Sequence, residues 1–190
     1  MMLSACAQMP PKDVDNICSI FEEKSDWYSS AKKSSERWGA PIHVTMAIIQ
    51  QESHFYAYAK PPRKKFLGLI PTFRPTSAYG YAQAIDGTWQ QYQKATNNSW
   101  ADRDSFEDAI DFVGWYIRRS HSLLKISKWD AYLQYLAYHE GQTGFKNKSY
   151  MKKPWLINVA KKVRKQSRRY INQLKKCEPH LQRKTSGWFF

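Results

Sequence analysis

Apolar residues recur along this chain at helical rather than strand spacing, and the pattern divides it into successive helices. The stretch "SDWYSSAKKSSERWG", Ser25 to Gly39, predicts a first helix closed by Gly39 as its C-cap. Pro41 opens the next, "PIHVTMAIIQQESHFYAYA", at a first-turn position where its missing N–H is harmless. The stretch "TWQQYQKAT" reads as a helix begun by a Thr88-x-x-Gln91 capping box. Two longer amphipathic helices follow, "DSFEDAIDFVGWYIRRSHSLL" and "DAYLQYLAYHE", the second ended by Gly141. Beyond them Leu156, Val159, Val163, Tyr170 and Leu174 keep a near-helical period, so the inner face of that segment packs on something. Residues 60–76 interrupt the series with four prolines and a basic cluster, an irregular insertion. There is no hairpin signal, no internal repeat, and only 8 glycines in all, so the fold class is mainly α.

A length of 190 residues, 42% hydrophobic and 24% charged, suits one globular domain with a sizeable core. Residues 1–15 read as a tether and 16–178 as the domain, with 179–190 a C-terminal tail. No stretch approaches the apolar length of a membrane-spanning helix. The formal net charge is +14, and it is unevenly placed. From Phe145 onward fourteen Lys and Arg face a single acid, Glu178, so the rest of the chain is close to neutral. The basic segment should seek a polyanion by an attraction that salt screens: nucleic acid, an anionic membrane surface or an acidic wall polymer. It lacks interleaved aromatics, and no helix-turn-helix or zinc signature accompanies it, which counts against nucleic acid.

Three cysteines are an odd count. Cys6 ends "LSAC", which resembles the lipobox of bacterial lipoproteins and makes it a lipidation candidate. A hydrophobic signal region should precede such a site, and only Met1 and Met2 do; the alternative is a chance match. Cys18 and Cys177 remain as a pair, a disulfide candidate in an exported chain and two inert thiols in a cytosolic one. None of the three clusters with histidine at a metal-ligand spacing, so no metal site is expected.

The segment "AIIQQESHF" holds the candidate chemistry. Val44, Ile48 and Glu52 follow one another at four-residue steps, about 40° apart on one helix face. Glu52 therefore extends an apolar stripe. A carboxyl at the border of a core is partly desolvated, which raises its pKa toward what a general acid needs near neutrality. The competing reading is a helix-end Glu reaching out to water.

Two further stretches bear on that choice. "SAYGYAQAIDGTW", Ser77 to Trp89, and "LAYHEGQTGF", Leu136 to Phe145, follow the Glu52–Ser53 pair in order. Together the three resemble the motifs of the lytic transglycosylases of the soluble, lysozyme-like family, which goose-type lysozyme is related to. Each is weak alone; three in order over about half of the chain are specific. The resemblance implies a single lysozyme-like domain with a substrate cleft, acting on bacterial peptidoglycan without a cofactor. It makes Glu52 the sole catalytic acid and base, with Ser53 supporting it. Ser77 would lie near the substrate's N-acetyl group, Gly80 would let the backbone approach the sugar, and Gln83 would line the cleft. Tyr138 would direct its phenol toward Glu52 or the glycan.

This chain departs from the family pattern at Ala82, where Met is usual, and at His139 and Glu140, which replace Asn-Ala. Ala82 implies a smaller cleft wall. Glu140 could supply a second carboxylate and turn the chemistry toward hydrolysis, or could face solvent at a helix end. Arg63, Lys64, Lys65 and Arg74 of the insertion either border the groove or lie on a surface loop. The resemblance implies cleavage between N-acetylmuramic acid and N-acetylglucosamine with a 1,6-anhydro product. The alternatives are a hydrolytic muramidase and a non-catalytic basic wall- or nucleic-acid-binding protein. The expected place is the periplasmic cell envelope, as a monomer, with the basic helix against anionic wall or lipid.

Overall fold

A computed structural model describes residues 9–63, 65–66, 70–71 and 73–186 of the chain. Cys6, Lys64 and the last four residues lie outside that set, and so do the side chains of Lys65, Phe66, Ile70, Pro71, Thr185 and Ser186. Within it the protein is mainly helical: α1 Ile17–Glu23, α2 Ser25–Trp38, α3 Ile42–Ser53, α4 Asp86–Thr96, α5 Phe106–Leu124, α6 Ala131–Lys146 and α7 Pro154–Ser186, with a 3-10 turn at Ser149–Lys152. The insertion carries an antiparallel pair of two-residue strands, β1 Lys65–Phe66 and β2 Ile70–Pro71, with Phe66 opposite Ile70.

Helix α3 is the centre, packed by α2, α5, α6 and α7. Its residues are buried on every side: His43 and Thr45 as well as Val44, Met46, Ala47, Ile48 and Ile49. A helix that is apolar all round belongs in a core, whereas one that is apolar on a single face belongs at a surface. The stripe running to Glu52 is thus one line on a helix enclosed along most of its length, with Gln50, Gln51 and Glu52 only partly buried at its end. Pro41 is the N-cap of α3 rather than its first residue.

Around this centre, polar side chains fix how the helices meet. Asp111 on α5 accepts hydrogen bonds from Trp38 Nε1 (2.7 Å) and Arg37 Nη1 (3.0 Å) of α2 and from the Tyr92 hydroxyl (2.9 Å) of α4. Gly39 closes α2 with φ 63°, as expected. Helix α4 begins at Asp86, two residues before the expected Thr88 cap, and no side chain of its own N-cap, Ile85, can accept a bond. Gly141 (φ 71°, ψ 163°) kinks α6 but does not end it; a further helical stretch runs to Lys146.

Helix α7 is 33 residues long, about 50 Å at 1.5 Å per residue. Leu156, Ala160, Val163, Tyr170 and Leu174 form its buried stripe, and Lys and Arg occupy the outer face. It continues through residue 178, and Leu181 is buried in the core, so the segment expected as a tail is helical as far as Ser186. A disulfide joins Cys18 of α1 to Cys177 of α7 across 159 residues. The segment before α1 also docks on α7: Gln173 Nε2 donates to the Asp15 carbonyl (3.2 Å) and the Tyr170 hydroxyl to that of Val14. The expected tether therefore packs from at least Pro11, which is buried. Among the described residues no helix is long and apolar enough to cross a membrane.

Candidate active site

Helix α3 stops just after Glu52. His54 (φ 50°) and Phe55 (φ 63°) both adopt left-handed backbone, so the chain turns sharply where the sequence pattern suggested more helix. The Ser53 hydroxyl holds this turn, donating to the Ile49 carbonyl (3.3 Å) and accepting from the Phe55 N–H (3.1 Å). Ser53 is buried, and its oxygen is committed to the backbone. What the turn achieves is to present Glu52 on the last helical turn, half-buried, with open cavity space beside it.

Burial pushes the Glu52 carboxyl up to about 7, against the opposing effect of a hydrogen bond from the Tyr135 hydroxyl. Tyr135 is itself buried on α6 and its phenol is strongly raised by burial and by Glu52. It therefore stays a donor at any pH the protein meets.

Glu52 lies between two cavities. One, of about 420 Å³, is walled by Thr76, Ile85, Thr88, Phe112, Tyr138 and Glu140 among others. The other, of about 390 Å³, is formed by Tyr56, Tyr58, Lys60, Pro61 and neighbouring residues. Glu52 and Gln83 line both. A linear ligand laid through the two would cross the acid near the middle of its path.

Gln83 sits at positive φ (49°), and its amide nitrogen donates to the carbonyls of Ala59 (2.8 Å) and Gly80 (2.9 Å). Those two acceptors fix the amide's orientation and leave its oxygen as the free hydrogen-bonding atom. Gly80 makes a close approach within the protein. It has φ 79°, and a Cβ there would lie 2.0 Å from the Arg103 carbonyl oxygen, so the close approach it permits is to the loop before α5. Ser77 is also drawn elsewhere: its hydroxyl accepts the Asp86 N–H (3.0 Å), supplying the cap that Ile85 lacks, and its neighbours Thr76 and Ala78 line the cavity in its stead. Ala82 is fully buried rather than part of a wall. Its carbonyl accepts the Tyr138 hydroxyl (2.5 Å), so Tyr138 is a pinned cleft wall, and its phenol, raised by burial, is raised further by the nearby Glu52 charge.

Glu140 lines the larger cavity, yet its side chain is only 3% exposed. Burial alone would raise its pKa. Bonds from Lys153 (2.7 Å), Ser149 and His139 (3.0 Å) outweigh that and hold the carboxyl at about 2. Neither the solvent-facing Glu nor the free second carboxylate describes it: both oxygens are engaged in tying the 3-10 turn and the start of α7 to α6. Two carboxyls on one cavity are thus driven in opposite directions, one toward neutrality and one toward permanent charge, which separates their roles.

From the insertion, Lys60, Pro61, Pro62 and Thr76 reach the cleft, while Arg74 folds back onto the Pro61 carbonyl. Neither Arg63 nor Arg74 lines either cavity. Tyr135, the residue bonded to Glu52, was not singled out by the motifs. The available signal was its place one helical turn before Tyr138, which puts both phenols on the same side of α6. Among the described residues no group of His, Cys, Asp and Glu is arranged to hold a metal ion.

A family model described as Transglycosylase SLT domain matches residues 1–177. Searches of curated proteins and of solved structures returned no match.

Proposed function

We propose, on the premise that this chain belongs to the transglycosylase SLT domain family, that it cleaves peptidoglycan as a lytic transglycosylase with Glu52 as its single acid and base. The observation that carries the reading is the pairing of a carboxyl raised to about 7 with a neighbour, Glu140, whose oxygens are already spent. Most glycosidases place two working carboxylates across the bond. Here one is free to work.

Neutral Glu52 gives its proton to the oxygen linking N-acetylmuramic acid to N-acetylglucosamine, and the bond from that oxygen to C1 of the muramyl sugar breaks. The Glu52 carboxylate then removes the proton from the C6 hydroxyl of the same sugar while O6 bonds to C1. The acid is restored, no water is consumed, and a 1,6-anhydro ring is formed. The attacking oxygen is part of the substrate, so proximity supplies part of the rate. Tyr135 steadies the carboxylate between the two proton transfers. Gln83 offers its amide oxygen to a sugar donor in either cavity.

The Cys18–Cys177 disulfide supports an oxidising compartment, the periplasm or another part of the cell envelope. The monomeric state and the Cys6 anchor remain part of the proposal and have their own readouts: sedimentation for the first, acyl labelling of a Cys6→Ser variant for the second. For the reaction itself, Glu52→Gln is expected to bind purified wall and release nothing soluble from it. Turnover retained in that variant would end the single-acid scheme. An intact enzyme should lose rate as pH rises through about 7, because the acid must be protonated for the first step.

A further inference from the structure

Helix α3 carries Glu52 at its C-terminal end and α6 carries its cleft residues, Tyr138 to Gly141, in its middle, while their first turns meet at a pole of the molecule away from the cleft. His43, on the first turn of α3, lies nine residues before Glu52, about 14 Å along the helix. At that pole is a separate cavity of about 450 Å³, closed on its third side by the basic face of α7.

Its lining combines charge with an exposed ring. Arg164 and Arg168 are one turn apart on α7 and both exposed; neither forms an ion pair among the described residues. Arg164 is steadied over the Tyr132 ring at 5.3 Å. Trp129 is 64% exposed beside the opening, its ring 5.4 Å from that of His43. His43 is 7% exposed, its Nδ1 lies 2.8 Å from the buried Ser167 hydroxyl, and its Nε2 has no partner. Burial drives the His43 pKa down to about 4, so the ring is neutral. One acid lines the cavity, Asp130, whose Oδ1 accepts both the Tyr132 and Leu133 N–H groups at the start of α6 (3.1 Å each), and its single negative charge is outnumbered by the two arginines. The balance is positive: two guanidinium groups and the starts of two helices, one of them already neutralised by Asp130.

We infer that this cavity is a second binding site, for an anionic sugar: a ring laid on the Trp129 face with its phosphate or carboxylate on Arg164 and Arg168. Stacking of a sugar on an exposed indole and forked recognition of an oxyanion are what these side chains do best. The site stands apart from the cleft and does not depend on the reaction proposed above. It gives the basic face of α7 a specific anchoring point in place of a diffuse field.

Isothermal titration of the intact protein with glucosamine 6-phosphate, glucuronate, glucose and inorganic phosphate tests this. The anionic sugars are expected to bind at about millimolar strength and glucose not at all. Arg168→Gln and Trp129→Ala should each weaken the anionic sugars by at least about fivefold while leaving Tm unchanged. A preference for the phosphate sugar would point to a phosphate-bearing envelope polymer or headgroup, and a preference for glucuronate to carboxylates of the wall. Equal binding of glucose, inorganic phosphate binding as tightly as its sugar ester, or indifference to both substitutions would each overturn the assignment.

Discussion

Glu52 is held in a place that is costly for it. A carboxyl whose pKa is about 7 in the fold and close to 4.5 in the unfolded chain destabilises the protein wherever the unfolded state is ionised and the folded state must bind a proton or bury a charge. That cost is absent below pH 4.5, grows between 4.5 and 7, and is complete above 7, at about 3 kcal/mol. Glu52→Gln should therefore raise Tm by several degrees at pH 8 and leave it nearly unchanged at pH 4, in thermal melts run side by side. Tyr135→Phe makes a second prediction. Losing a donor to the carboxylate raises the Glu52 pKa further, so the alkaline limb of the activity profile should move to higher pH; a merely structural role for Tyr135 would leave that limb in place. The apolar approach of Val44 and Ile48 made Glu52 readable from sequence. Tyr135 was not, because its value depends on α6 being laid against the end of α3, which no local pattern specifies. Ser77 and Gly80 carry structural work that the motif does not announce: one caps α4 and the other admits the Arg103 backbone.

At the scale of elements, most helices were legible and their ends were not. Gly39 marked its terminus correctly because only a left-handed residue follows that helix. The apolar run after Pro41 promised helix through Ala59, yet α3 stops at Ser53 through two non-glycine residues at positive φ, a conformation that surrounding packing must enforce. Helix α1 has seven residues, too short for periodicity to reveal; Asn16 caps it, accepting the Cys18 and Ser19 N–H groups, and the disulfide binds it to α7. Glu140 belongs to this scale because it joins elements. With its pKa held at about 2, it contributes stability that is present above pH 4.5 and lost as the pH falls toward 2. Glu140→Gln is expected to cost about 1–3 kcal/mol at pH 7, lowered by the part-exposure of Lys153, and much less at pH 3. Chemical denaturation at the two values checks this. The same variant should keep its product type; a switch of products would restore Glu140 to the chemistry.

Across the whole molecule, the cleft and the basic pole are separate places built around one core. The central helix α3 links them, its last turn in the cleft and its first at the basic pole. Glu52 and Gln83 stand where the two cavities meet, so a glycan strand can extend to both sides of the acid. The family resemblance was visible in three short motifs. The opposite pull on the two carboxyls was not, since it is set by burial and by Lys153, Ser149 and Tyr135 arriving from elsewhere in the fold.

Digestion of purified wall in heavy-oxygen water, followed by product masses, tests the central claim most directly. If Glu52 moves both protons within one sugar, the new muramyl ends are anhydro, lighter by one water than a reducing end, and carry none of the label. Labelled reducing ends as the primary product would contradict it.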